Sequence, residues 1–198
     1  MTQAAHLPLV LASSSPYRRE LLSRLGVAFS TFSPSIDESR QADESAEELV
    51  TRLSREKALA VAASHPEALI IGSDQVATVD GKVLGKPGNH EKAVEQLMSA
   101  SGKRVTFYTG LTLYNSQSGN TQTCCVPFHV QFRELNRREV EHYLEKEQPY
   151  NCAGSFKSEG LGICLFESME GNDPNALIGL PLIRLHGLLR QEGVDLLD

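Results

Sequence analysis

Four short segments carry side chains that could do chemistry. The run Leu11-Ala12-Ser13-Ser14-Ser15-Pro16-Tyr17-Arg18-Arg19 sets hydroxyls and two guanidinium groups around the start of a helix. Backbone N–H groups and the positive end of a helix dipole favour anions at such a place. Hydroxyls and arginines are donors suited to phosphate oxygens. The segment Ile70-Ile71-Gly72-Ser73-Asp74-Gln75 puts a carboxylate after an apolar run. At a strand's carboxyl end, where open α/β sheets place ligands, Asp74 could hold Mg²⁺ and orient or deprotonate water. Two further cations are Lys57 in Glu56-Lys57-Ala58 and Lys86 in Leu84-Gly85-Lys86-Pro87. The fourth segment, Cys152-Ala153-Gly154-Ser155-Phe156-Lys157-Ser158-Glu159-Gly160, frames a lysine and a glutamate with glycines that permit close backbone approach. Each segment alone also fits a plain structural reading: a capped helix, a turn aspartate, solvated lysines or a bent strand. No G-x-x-x-x-G-K-[ST] run is present, so this is not a Walker loop.

The elements that must position these groups read as alternating strands and helices. Leu7–Ala12 reads as a buried strand. Ser15 is a suitable N-cap with Pro16 at the first helical position, and Gly26 ends that helix. A strand near Ala28–Phe32 and a polar loop, Ser33–Glu44, follow. Ser45-Ala46-Glu47-Glu48 is a capping box opening a helix to about Ser64. A short strand, Ala68–Ile71, precedes Asp74, and Val76–Leu84 reads as a hairpin turning at Asp80-Gly81. Asn89 caps a helix to about Ala100. Long strands near Val105–Asn115 and Thr121–Phe132 are joined by the turn-rich Ser116–Asn120. Asn136–Lys146 and Leu180–Glu192 read as helices, and Ala153–Phe166 as strand-like. The pattern predicts an α/β domain with a mixed sheet.

With 198 residues the chain can form one sizeable domain or two small lobes around a cleft. A net charge of −6 argues against a general nucleic-acid or anionic-membrane surface. It leaves room for a small anionic substrate bound by local cations. Met1–Leu7 has no export-signal pattern, and no apolar run approaches a membrane span of about 20 residues. Cys124, Cys125, Cys152 and Cys164 lack C-x-x-C spacing, as expected of thiols in the cytoplasm. The six histidines form no H-x-x-x-H pair, which argues against zinc.

Taken together, in order and spacing, these segments resemble the Maf family of nucleotide pyrophosphatases over essentially the whole chain. The matching forms are A-S-x-S-P-x-R-R, G-S-D-Q, G-K-P and A-G-S-F-K-S-E-G. With Phe107-Tyr108-Thr109-Gly110 and the P-F-x-V-x-F-R run at Pro127–Arg133, they look like the branch selective for 7-methylguanosine triphosphate. The pyrimidine-selective branch usually has arginine, threonine and glutamine where this chain has Tyr17, Gln75 and Glu159. Tyr17 stands where the methylguanosine branch commonly has tryptophan; both are aromatic.

The resemblance implies an elongated mixed sheet with flanking helices and a central substrate cleft. It implies a catalytic Asp74, a phosphate site lined by Ser13, Arg18, Arg19, Lys57, Lys86 and Lys157, and a divalent metal (Mg²⁺ or Mn²⁺) held by Glu38 and Asp74. Base selectivity would rest on Tyr17, Gln75 and Glu159. A homodimer is also implied. The expected reaction is attack of water on the α-phosphorus, releasing a nucleoside monophosphate and pyrophosphate. Chemistry supports the base assignment. N7-methylation makes guanine cationic, and an aromatic face stacks on a cationic ring with about 0.5–2 kcal/mol. Glu159 can accept from guanine N1–H and its amine, and would repel the carbonyl edge of a pyrimidine. The alternatives are a pyrophosphatase for dTTP, UTP or another modified nucleotide, and a nucleotide-binding cell-division regulator with little turnover.

Overall fold

The computed structural model describes residues 7–197; the reading of the N-terminus over residues 1–6 lies outside them. Seven strands form one mixed sheet, β1 (Leu9–Ala12), β2 (Phe29–Phe32), β3 (Leu69–Val79), β4 (Lys82–Leu84), β5 (Arg104–Asn115), β6 (Thr121–Phe132) and β7 (Phe166–Gly171), in the order β2-β1-β3-β5-β6-β7, with β4 on the far half of β3. β1 is parallel to β2 and β3; every other pairing is antiparallel. Among the described residues six helices flank it: α1 (Pro16–Ser23), α2 (Ala46–Ala62), α3 (His90–Ala100), α4 (Arg137–Glu147), α5 (Pro174–Ile178) and α6 (Leu182–Gln191). The mixed α/β architecture expected from the sequence is present.

The helix starts follow local chemistry. Ser15 accepts from the Arg18 N–H, with Pro16 at the first helical position. Ser45 and Glu48 form a reciprocal capping box on α2, and Asn136 with Glu139 does the same on α4. Asp80 and Gly81 both adopt positive φ, which fits the tight β3–β4 turn.

Two stretches differ from the sequence reading. The short strand, loop and hairpin expected between Ala68 and Val79 are one continuous strand, so Asp74 sits in mid-strand rather than at a strand end. The reason is β5, which supplies an antiparallel partner from Leu69 through Thr78. The other edge of β3 is discontinuous. β1 pairs only as far as Gly72, and β4 begins only at Ala77. Asp74 therefore faces a gap in the sheet between two short neighbours.

The second difference is Ala153–Phe166, expected to be strand-like. It forms two short 3₁₀ turns, Ala153–Ser155 and Leu161–Leu165. Gly154 and Ser155 both have left-handed φ, which a strand does not allow. Phe156 fastens this loop by edge-to-face contacts with Phe107, Phe132 and Phe166 at centroid separations of 4.8–5.7 Å. β7 and α5 follow, neither read from the sequence.

Two large apolar clusters share the sheet. One joins Leu9 and Leu11 of β1 and Leu69 and Ile71 of β3 to α1 and α6. The other joins Ala77 and Val79 of β3 to α3, α4, β5 and β6. The stretch Ser73–Val76 lies between them. α2 crosses above it, and two glycines allow it to come close. A Cβ on Gly72 would lie 2.0 Å from the Ser54 carbonyl oxygen, and one on Gly110 2.0 Å from that of Val50.

Candidate functional site

A cleft of about 650 Å³ opens at the gap in the sheet, within the roughly 300–1,000 Å³ usual for small-molecule sites. Its wall brings together Ser13, Tyr17 and Arg18 from the first segment, Glu38 from the long loop, Lys57 from α2, Asp74 and Gln75 from β3, Lys86, and Glu159. Residues separated by more than 140 positions thus meet on one surface.

At its centre Lys57 links two carboxylates. Its Nζ donates to Asp74 Oδ1 at 2.6 Å and pairs with Glu38 Oε1 at 2.9 Å. Lys57 and Asp74 are 6% and 7% exposed, so this pair is shielded from solvent and its geometry is fixed by packing. Lys57, which the family resemblance assigns to the phosphate site and which could equally be an ordinary solvated lysine, lies on the sheet-facing stripe of α2, with Leu49, Leu53 and Val61 at intervals of four. That periodicity is visible in the sequence and was the available signal. Glu38 is more exposed. Burial raises its pKa, but the hydrogen bond and charge of Lys57, with Lys86 and Arg18, more than offset this and hold it below the ordinary carboxylate value.

The serine loop is built to present donors. Ser13 Oγ accepts from Ser15 N–H at 3.1 Å, and Ser15 Oγ accepts from Arg18 N–H. A hydroxyl that accepts in this way still has its proton to give. Arg18 Nε donates to the Gly179 carbonyl at 2.8 Å, which fixes the guanidinium plane and leaves its other nitrogens for the cleft. Lys86 is exposed on the cleft wall and makes no ion pair among the described residues. Tyr17 and Glu159 line the same cleft. The Tyr17 hydroxyl lies 3.8 Å from Cys152 Sγ, and burial above all pushes its pKa up to about 12, so the phenol stays neutral.

Three predicted site residues are placed differently. Arg19 is exposed and does not line the cleft, because successive helical residues point about 100° apart and Arg18 takes the inward direction. Lys157 is also off the cleft wall. Its Nζ donates to the Glu147 carbonyl at 2.8 Å, at the C-terminus of α4, where a cation is favourable. With Tyr143 Oη accepting from Lys157 N–H and Glu147 Oε1 accepting from Leu161 N–H, it holds the loop that carries Glu159. Gln75 lines the cleft, but its Nε2 donates to Thr109 Oγ1 and to the Ala176 and Leu177 carbonyls at 2.7–3.2 Å. Ser73 Oγ donates to the Gly110 and Gly179 carbonyls.

The residues flanking Asp74 thus fasten the end of α5, whose Leu177 and Ile178 complete the cleft wall. The sequence reading missed that segment. The signal was Asp173-Pro174, an N-cap followed by proline at the first helical position.

Glu38 and Asp74 are hard oxygen donors that line the same cleft and share Lys57. Among the described residues no group of three or more His, Cys, Asp or Glu could hold a metal ion. Two carboxylates are the donor set expected for Mg²⁺, which keeps several waters and shares substrate phosphates rather than filling an all-protein cage. The residues present therefore fit such an ion.

Fold and cleft define an α/β protein in which a cation-rich, carboxylate-bearing site crosses the middle of a mixed sheet. The chain belongs to the Maf family: the family model described as Maf-like protein matches residues 8–192. It is 61% identical over 188 residues to a protein of Alcanivorax borkumensis named 7-methyl-GTP pyrophosphatase, covering 95% of each chain. A Pseudomonas aeruginosa protein of the same name is 59% identical over 188 residues, covering 95% of this chain and 98% of its own. The fold is also similar to the Staphylococcus aureus Ham1 protein, with a TM-score of 0.54 at 13% identity over 93% of this chain and 99% of that one.

Proposed function

We propose that this protein is a nucleoside triphosphate pyrophosphatase that hydrolyses 7-methyl-GTP to 7-methyl-GMP and pyrophosphate, clearing a modified nucleotide in the cytoplasm. The observation that carries the reading is Lys57 bridging Asp74 and Glu38 inside a cleft that also presents Arg18, Lys86, Tyr17 and Glu159. The names of its close relatives support the same substrate.

In this reading the cleft separates two lobes of one domain, each built on one of the large apolar clusters. The triphosphate lies along the serine loop, with Ser13 and Arg18 donating to its oxygens and Lys86 facing it from the opposite wall. Asp74 accepts a hydrogen bond from the attacking water and takes its proton as the oxygen approaches the α-phosphorus. Lys57 holds the Asp74 carboxylate in place and balances the negative charge that Asp74, Glu38 and phosphate bring together. Glu38 and Asp74 would hold Mg²⁺ or Mn²⁺, which when bound supplies charge neutralisation of the phosphates. Tyr17 stacks on the base, and Glu159 accepts from the guanine edge. A homodimer, implied by family resemblance, belongs to the same proposal.

The test is pyrophosphate release from a panel of triphosphates. The expected order is 7-methyl-GTP, then GTP, then UTP or dTTP. The cation-dependent stacking of about 0.5–2 kcal/mol corresponds to a roughly 2- to 30-fold preference for the methylated base. UTP or dTTP as best substrate would remove the base assignment and leave the catalytic one; no turnover of any triphosphate would remove both.

A further inference from the structure

Glu38 is the least supported member of the charged centre. It lies in the 12-residue loop Ser33–Glu44, which has no helix or strand, and its side chain is 59% exposed. Left to itself such a segment would sample many conformations, and one surface ion pair contributes about 0–1 kcal/mol against that. The ion pair with Lys57 therefore needs help from the neighbouring backbone.

That help converges on Arg52. Its Nε donates to Glu44 Oε1 at 2.6 Å and its Nη2 to Glu44 Oε2 at 2.9 Å, a two-pronged match of guanidinium to carboxylate. The same Nη2 donates to the carbonyl of Ser39, the residue after Glu38, at 3.0 Å. Glu44 Oε2 also accepts from Gln41 N–H at 3.0 Å, and Arg40 Nε donates to the Glu44 carbonyl at 2.7 Å. Nη1 reaches Glu56 at 3.2 Å, tying the guanidinium to its own helix. Glu44 is 7% exposed, so the clamp is shielded although the loop is not. Arg52 and Lys57 both stand on α2. One rigid helix therefore grips the backbone beside Glu38 and also offers the cation that Glu38 meets.

We infer that Arg52 is a positioning residue: through Ser39 and Glu44 it fixes the loop so that the Glu38 carboxylate stands against Lys57 at the edge of the cleft. This inference rests on the reading of Glu38 as part of the charged centre. Arg52 itself does not line the cleft.

The experiment is a double-mutant cycle on hydrolysis of 7-methyl-GTP with Mg²⁺, together with amide hydrogen exchange of the protein alone. Arg52→Lys keeps the charge but loses the fork. It should lower kcat/KM by about 10- to 100-fold, the scale of a misplaced catalytic group. Glu38→Gln should lose at least as much. The double variant should be no worse than Glu38→Gln within about twofold, because Arg52 acts only through Glu38. In Arg52→Lys, exchange should accelerate over residues 37–44 while β3 and β5 stay protected. Glu44→Gln should reproduce this pattern, and it carries the test if Arg52→Lys does not fold.

Near-normal turnover of both clamp variants, losses that multiply in the double variant, or exchange that rises throughout the molecule would each overturn the inference. Normal turnover of Glu38→Gln would instead overturn the reading of Glu38, and the clamp with it.

Discussion

In the proposed reaction, Asp74 is the residue on which the chemistry turns. Its carboxylate is buried, directed at the cleft and held by one ammonium at 2.6 Å. Asp74→Asn keeps the shape and removes the base. Turnover should fall by about 100-fold or more while nucleotide binding, measured by calorimetry, is largely retained. Normal turnover would mean that Asp74 only anchors α2 to the sheet. The arginine pair separates just as sharply. Arg18 is fixed by the Gly179 carbonyl at the cleft wall, whereas Arg19 is solvent-facing. Arg18→Ala should lower kcat/KM by more than about tenfold, or ~1.4 kcal/mol, and Arg19→Ala should do little. Equal losses would place the triphosphate further along α1 than the proposed reading does.

At the scale of elements, α2 is the part that assembles the site, and it works through close approach. Its carbonyls at Val50 and Ser54 rest where Gly110 and Gly72 leave no Cβ. This contact carries Lys57 down to Asp74. Gly72→Ala would drive a methyl group against a backbone oxygen that no rotamer change can move aside. The expected cost is about 1–3 kcal/mol of stability, as for overpacking, with loss of turnover as the helix lifts. Gly187→Ala, inside α6 with open space at its Cβ, is the control. It should hold or raise stability by up to about 1 kcal/mol, from helix propensity alone. Thermal melts of both variants, with activity, decide the matter. A second assembling element is α5, short and capped by Asp173, whose terminal carbonyls are taken by Ser73, Gln75, Thr109 and Arg18.

For the molecule as a whole, the apolar clusters on either side of Ser73–Val76 supply the rigidity, and shielded ion pairs set how stability responds to acid. Glu44 is the clearest case. The Arg52 hydrogen bonds, with that of Gln41 N–H, outweigh burial and pull its carboxyl down to about 2 from the ordinary 4.5. A carboxylate depressed on folding stabilises the folded form above its unfolded value. That contribution is lost as pH falls from about 4.5 towards 2. Wild type should therefore be more stable than Glu44→Gln at neutral pH. The difference should shrink across that interval when urea midpoints are followed against pH. A constant difference would mean that the Arg52 pair is not what holds the loop. No described helix is long and apolar enough to cross a membrane.

The sequence by itself determined the local events. Ser15, Ser45, Asn89 and Asn136 marked their helix starts, because a cap is a bond between neighbours in the chain. The Asp80-Gly81 turn and the β5–β6 hairpin were legible for the same reason. The charged cleft residues were legible too, through the family resemblance that the motifs carry: Arg18, Glu38, Lys57, Asp74, Lys86 and Glu159 all line it, with Ser13, Tyr17 and Gln75 beside them. What only the tertiary structure decided depends on distant partners. β3 runs straight through Asp74 because β5 pairs with it throughout, and the cleft exists because β1 and β4 leave a gap on its other edge. Lys157 looked like a phosphate ligand in its motif, but the C-terminus of α4 claims its ammonium. Gln75 keeps its place on the wall but gives its amide hydrogens to α5 and Thr109, and Lys57 turns inward because Gly72 and Gly110 let α2 settle. Spacing along a chain fixes which groups are available; which of them meet is fixed by strand register and by how closely backbones can pack.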